Sequence, residues 1–218
     1  PFMWLTERNK RTLVLNPLKC ENGVYQMDME AFREQVKGCK LFILCNPHNP
    51  GGIVWKEEEL REIAEICYDE GVLVFSDEIH ADLTLPPHKH RPFATISEKA
   101  KMNSVTFMSP SKAFNMPGMT ASHAIIYNPE LRHQLREFIE ACELDLGHAF
   151  AFLSVEAAYS HGTEWLDQCL TYIQGNIDYG DAFLKEHAPK IKAIRPQASY
   201  LIWLDCREMN LSQKALND

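Results

Sequence analysis

Apolar and polar positions alternate along this chain in two periods, and the switches between them mark out its elements. Met29 to Val36 reads as a short helix and is followed by an apolar strand over 41–45. From Glu57 to Glu70, the residues Leu60, Ile63, Ala64 and Cys67 recur at helical spacing and give an amphipathic helix. Gly71 is its expected stop. Val72-Leu73-Val74-Phe75 is a short, fully apolar run, as is Val105-Thr106-Phe107-Met108 within a strand over 104–108. Ser122 to Tyr127 is another strand. Asn128 and Pro129 then form an N-cap and first-turn pair for a helix over 130–143, with a further helix over 148–160. His161-Gly162 breaks the pattern, and Thr163 is placed to cap a long helix running to His187, before Pro189. Ile191 to Ile194 and Ser199 to Leu204 read as strands.

Strand, loop, helix and strand in succession argue for a parallel sheet with helices packed on it. Ligands in such sheets bind beyond the strand C-terminal ends. Three polar clusters stand at those ends: Cys45-Asn46-Pro47-His48-Asn49-Pro50-Gly51-Gly52, Ser76-Asp77-Glu78-Ile79-His80-Ala81-Asp82, and Ser109-Pro110-Ser111-Lys112-Ala113-Phe114-Asn115. Asn49, Asp77 and Lys112 are therefore expected to converge on one edge of one sheet. A lysine after a strand is more often a solvated loop charge, an aspartate there a helix cap, and an Asn-Pro pair a turn. The three clusters together outweigh those readings.

In order and spacing these motifs resemble the pyridoxal-phosphate (PLP) enzymes of the aminotransferase class I/II superfamily, fold type I. The wording is closest to the cystathionine β-lyase or C–S lyase branch, which includes cystalysin. The resemblance extends to Glu156-Ala157-Ala158-Tyr159-x-His161-Gly162-x-Glu164-Trp165 and Tyr200-Leu201-x-Trp203-Leu204-Asp205. It implies a three-layer α/β/α fold with a mainly parallel sheet. A PLP-binding large domain over 1–160 would be followed by an interdomain helix and the start of a small α+β C-terminal domain over 161–218. Lys112 would hold the cofactor covalently and move the substrate Cα proton. Free lysine is roughly one part in a thousand unprotonated at neutral pH, a limit that covalent capture removes. Asp77 would face the ring nitrogen and keep it protonated, Asn49 would bond the ring oxygen, and Ser109 and Ser111 would take the phosphate.

Two positions depart from the wider superfamily pattern. His80 stands where many aminotransferases carry tyrosine, and it fits the lyase branch. Thr120, eight residues after Lys112, stands where many have an arginine for the phosphate. The implied reaction is β-elimination on cystathionine or a related cysteine S-conjugate, giving pyruvate, ammonia and a thiol. Transamination between an amino acid and a 2-oxo acid, and a non-catalytic interaction protein on the same scaffold, stay open.

Composition narrows this picture only modestly. The 218 residues carry a formal net charge of −8, which argues against nucleic acid or an anionic membrane as the main partner. No stretch approaches the ~20 apolar residues of a transmembrane helix. Seven scattered cysteines without Cys-x-x-Cys pairs suggest reduced thiols and a cytoplasmic setting. His88-Lys89-His90 reads as a polar loop and not as a metal cluster, and Arg195 and Arg207 read as surface charges. Pro1-Phe2-Met3-Trp4 shows neither an initiator methionine nor a leader, and members of the resembled family are longer at both ends. The chain is thus expected to be a central piece of a longer protein. The ring-stacking aromatic and the arginine for the substrate carboxylate would lie outside it, and the whole protein would be a homodimer acting on a small amino acid.

Overall fold

The computed structural model describes residues 2–21, 23–145 and 147–217; Pro1, Asn22, Leu146 and Asp218 lie outside the description. Helix α1 (Phe2–Arg8) is exposed and precedes an antiparallel pair, β1 (Lys19–Glu21) and β2 (Val24–Gln26). Helix α2 (Met29–Gln35) starts where the Asp28 carboxylate accepts the Ala31 N–H at 3.1 Å, and it buries Phe32. Strand β3 (Leu41–Cys45), helix α3 (Glu57–Asp69), strand β4 (Leu73–Asp77), helix α4 (Glu98–Met102) and strand β5 (Ser104–Met108) follow. Then come β6 (His123–Ile125), α5 (Pro129–Ala141), α6 (Ala149–His161), α7 (Thr163–His187), the antiparallel pair β7 (Lys192–Ile194) and β8 (Trp203–Asp205), and α8 (Gln213–Asn217).

The central sheet has the order β3-β4-β5-β6. Its first three strands are parallel, and β6 runs antiparallel to β5 with Met108 opposite His123. The sheet is therefore parallel-rich and mixed. Its core lies where α2, α3 and α4 cover one face: Phe32, Leu44, Leu60, Ile63, Cys67, Val74, Phe93 and Ala100 are all buried there. The helical period of α3 produces this directly, since Leu60, Ile63, Ala64 and Cys67 all point inward. Gly71 ends that helix at φ +66°, a left-handed conformation that costs glycine little. Asn128 caps α5 by accepting the N–H groups of Glu130 and Leu131 at 3.1 and 3.2 Å.

Several expected boundaries shift. Strand β4 runs two residues further than the apolar run suggested, so Ser76 and Asp77 are strand residues. Their pairing with β3 and β5 continues because strand backbone does not need apolar side chains. Thr163 is the first residue of α7 and not its side-chain cap. The strand expected over 199–204 shrinks to Trp203–Asp205, and that over 122–127 to His123–Ile125. In the first case the backbone of 197–199 is spent on other loops: Gln197 and Ser199 donate to the carbonyls of Gly52 and Leu83. Ser199 also sits at φ +77°, which no strand ladder accommodates.

Candidate active site

Strand alternation decides which acid reaches the site. On β4 and just past it, Val74, Ser76 and Glu78 are buried, while Leu73, Phe75 and Asp77 face the other side. Asp77 is thus carried to the C-terminal end of the parallel strands, opposite Cys45 of β3 and Phe107 of β5. Asn49 follows β3 by four residues and Lys112 follows β5 by four. The three clusters share one edge of the sheet, as their order in the sequence implied.

Asp77 is half-buried. Burial raises its carboxyl above the usual range, and the nearby Glu78 adds to this; the Ile79 N–H, bonded at 3.2 Å, and the positive charge of Lys112 act the other way. His80 is buried at 3% exposure. Its imidazole is pushed down to about 4, first by burial and then by the same lysine charge. Lys112 therefore projects its field onto both Asp77 and His80. At neutral pH His80 is an uncharged ring that can donate only one N–H, and its Nδ1 is buried without a partner among the described residues.

Asn49 is set by its own loop. Its backbone N–H donates to Cys45 Sγ at 3.4 Å, and that thiol in turn donates to the Pro47 carbonyl at 3.5 Å. Burial holds the Cys45 thiol up at about 11, so it stays protonated in this role. The Trp55 indole N–H donates to the Cys45 carbonyl at 2.8 Å and anchors the loop from the core side. Asn49 Oδ1 is buried and has no partner among the described residues. Buried polar atoms are nearly always satisfied, so Asn49 Oδ1 and His80 Nδ1 each have hydrogen-bonding capacity left for a polar group.

The lysine loop is a tight turn. Phe114 and Met116 donate N–H bonds to the carbonyls of Pro110 and Ser111 at 2.9 and 3.0 Å. Ser109 Oγ donates to the Ala121 carbonyl at 2.6 Å, lies 2.6 Å from Ser111 Oγ, and accepts the Ser111 N–H at 3.1 Å. With the Ser109 proton spent on Ala121, Ser111 is the donor of the 2.6 Å hydroxyl pair, and turning it toward an anion would break that bond. Thr120 is exposed and sits at φ +50°. Phe114 fixes the far side of the turn: it stacks on Trp165 at 6.0 Å and meets Tyr159 edge-on at 5.9 Å. Gly162 makes room for it, since a Cβ there would lie 2.5 Å from the Phe114 ring.

This set of groups can hold a flat, phosphorylated aromatic aldehyde: an amine to capture it, an acid for a basic ring nitrogen, amide and imidazole for a ring oxygen, and hydroxyls for the phosphate. The model for the family described as aminotransferase class I and II matches residues 8–218. The chain belongs to that family. Cystathionine beta-lyase PatB of Bacillus subtilis (strain 168) is 44% identical over 218 residues, which cover 99% of this chain and 56% of that protein. Protein MalY of Escherichia coli (strain K12) is 33% identical over 219 residues, covering 99% of this chain and 55% of MalY. Among solved structures, cystalysin from Treponema denticola, which contains a pyridoxal 5'-phosphate cofactor, superposes with a TM-score of 0.94 at 32% identity, covering 100% of this chain and 56% of cystalysin. The chain spans about half the length of the family members it matches. The family fold is the one expected from the motifs, a mixed, parallel-rich sheet flanked by helices.

Sequence reasoning missed two features beside this site. The first is the Glu78–His90 pair. Glu78 is fully buried, accepts from Ser76 Oγ at 2.8 Å and the Phe93 N–H at 2.9 Å, and lies 2.7 Å from His90 Nε2. His90, with its side chain 10% exposed, is thus a partner for a buried acid inside a run that read as a polar loop, where His88 and Lys89 are indeed exposed. The signal was available: Glu78 continues the inward alternation of Val74 and Ser76, and a buried acid needs a partner. The second is the bend at 196–200, treated below. No group of three or more His, Cys, Asp or Glu among the described residues could hold a metal. Arg195 pairs with Asp178 at 2.6 Å and Arg207 with Asp205 at 2.5 Å, both at the surface.

Proposed function

We propose that the whole protein is a PLP-dependent carbon–sulfur β-lyase, acting on cystathionine or a related cysteine S-conjugate and releasing a thiol, pyruvate and ammonia with uptake of one water. The observation that carries the reading is the parallel pairing of β3, β4 and β5, which brings the loops of Asn49 and Lys112 and the residues Asp77 and His80 to one edge of the sheet. The lyase assignment is supported by the 44% identity to a protein named cystathionine beta-lyase.

PLP, when bound, supplies an electron sink for the pair left at the substrate Cα. Within this reading Lys112 would hold the cofactor and would serve as the general base for the substrate Cα proton. Asp77 is poised by burial to accept a proton-bearing ring nitrogen, whose positive charge would favour the carboxylate. Asn49 and the neutral His80 orient the ring through its oxygen, and Ser109 and Ser111 define the phosphate end. The same chemistry supports transamination, so pocket shape decides between the two.

The division into a large domain over 1–160 and a smaller C-terminal part over 161–218 belongs to this proposal, as do a homodimeric assembly and a cytoplasmic setting. No helix among the described residues is long and apolar enough to cross a membrane. The test is direct. The natural-length protein, given PLP and cystathionine, is expected to produce thiol and pyruvate in equal amounts. Amino-group exchange with a 2-oxo acid and no thiol would move the assignment to an aminotransferase. Failure to take up PLP at all would overturn the reading.

A further inference from the structure

The segment from Pro196 to Tyr200 joins two cofactor-facing loops that are distant in sequence. Gln197 donates its N–H to the Gly52 carbonyl at 2.7 Å, accepts the Val54 N–H on its side-chain oxygen at 2.9 Å, and accepts the Leu85 N–H on its carbonyl at 2.9 Å. Ser199 donates to the Leu83 carbonyl at 3.0 Å, and Ala198 bridges to Thr84. The loop carrying Asn49 and the turn carrying His80 are thereby tied to the same short stretch. Gly52 is required at this clasp: it sits at φ +67° and a Cβ there would lie 2.5 Å from Pro196 Cβ.

Ser199 then does something costly. It is buried at 1% exposure and adopts φ +77°, and its Oγ has no partner among the described residues. Strain of this kind persists only where surrounding structure imposes it, and it concentrates at functional sites. Its effect is to turn the chain so that Tyr200 falls against His80, with ring centroids 5.9 Å apart and planes inclined at 57°. Tyr200 is itself exposed while His80 is buried, so the tyrosine ring covers the imidazole from outside.

We propose that Tyr200 is a positioning residue for His80: its ring, delivered by the strained Ser199, fixes the imidazole plane so that His80 meets the cofactor ring in one orientation. This inference rests on the PLP reading above and adds to it a residue outside the three motifs. Only the aromatic face is needed, because the contact is ring against ring.

The test uses the natural-length protein and four variants: Tyr200→Phe, Tyr200→Leu, His80→Asn, and Tyr200→Leu combined with His80→Asn. Two quantities are read. One is PLP affinity of the cofactor-free protein; the other is the circular dichroism of the bound cofactor's visible band, which reports a fixed ring orientation. Tyr200→Phe is expected to match wild type in both. Tyr200→Leu is expected to weaken PLP about 3- to 10-fold, the range of an aromatic pair contact, and to reduce the dichroism. Placed on His80→Asn, the leucine should add less than about 2-fold, because the group it positions is gone. An unchanged affinity and band in Tyr200→Leu, an equal loss in Tyr200→Phe, or a full loss on the His80→Asn background would each overturn the proposal. Wild-type protein that takes up PLP while showing any of these sinks this inference alone; wild-type protein that takes up none sinks the cofactor reading and this inference with it.

Discussion

Replacing Gly52 with alanine separates a conformational cost from a contact cost. Gly52 and Gly71 have nearly the same backbone angle, φ +67° and +66°. Among the described residues a Cβ at Gly71 meets nothing within 4 Å, whereas at Gly52 it would lie 2.5 Å from Pro196 Cβ and 2.8 Å from Pro196 Cα. Holding alanine in a left-handed conformation costs about 1–2 kcal/mol, which both variants bear. Proline is rigid and its Cα is backbone, so relief at Gly52 means displacing the clasp itself, an overpacking cost of about 1–3 kcal/mol more. Gly71→Ala is therefore expected to lose about 1–2 kcal/mol and Gly52→Ala about 2–5 kcal/mol. Urea denaturation checks this. With an m-value of about 2 kcal/mol/M the extra term moves the midpoint of Gly52→Ala a further ~0.5–1.5 M below that of Gly71→Ala. PLP affinity should fall with Gly52→Ala and hold with Gly71→Ala, because only the first variant moves the segment that ties the Asn49 and His80 loops. Equal midpoints, or equal PLP affinities, would refute the claim that 196–199 clasps the site.

Three further outcomes follow from the same geometry. Glu78→Ala orphans Ser76 Oγ, the Phe93 N–H and His90 Nε2 in a fully buried place, and at ~1–3 kcal/mol per orphaned group should cost roughly 3 kcal/mol or more. Glu78→Gln keeps an acceptor for Ser76 and Phe93 and can donate to His90, so denaturation should show a loss of about 1 kcal/mol. His80 binds a proton in the unfolded chain below about 6.5 but in the folded chain only near about 4. Its contribution to the stability of the cofactor-free protein is therefore intact above pH 6.5 and is lost as pH falls through that window; the wild-type curve should steepen there relative to His80→Asn, and parallel curves would contradict it. Burial raises the thiols of Cys45 to about 11 and Cys67 to about 12 while Cys142 is exposed. Alkylation of the native protein followed by peptide mass analysis should mark Cys142 early and Cys45 and Cys67 only on unfolding.

Much of this site could be read from the chain because its parts are local. Asn49, Asp77 and Lys112 each follow a short apolar run, and parallel strands place their C-terminal ends together without further information. Helix α3 was legible for the same reason, since its buried face repeats every three or four residues. The rest was set by partners far away in sequence. Nothing near Ser199 announces a bend, because the groups that forbid a strand there are the Gly52 and Leu83 carbonyls. His90 sits in a polar run, and only the inward alternation of Glu78, twelve residues earlier, hints that it is drawn in as a partner. The antiparallel course of β6 likewise depends on pairing with β5, and its three residues carry no pattern that fixes direction.

The central claim is that Lys112, Asp77 and Asn49 meet around one cofactor ring. The most direct measurement is to incubate the natural-length protein with PLP, reduce with borohydride, and locate the modified residue by peptide mass. The account predicts one pyridoxyl group per chain, on Lys112, with uptake much weakened in Asp77→Ala and in Asn49→Ala. Modification spread over surface lysines, or uptake indifferent to Asp77 and Asn49, would contradict it.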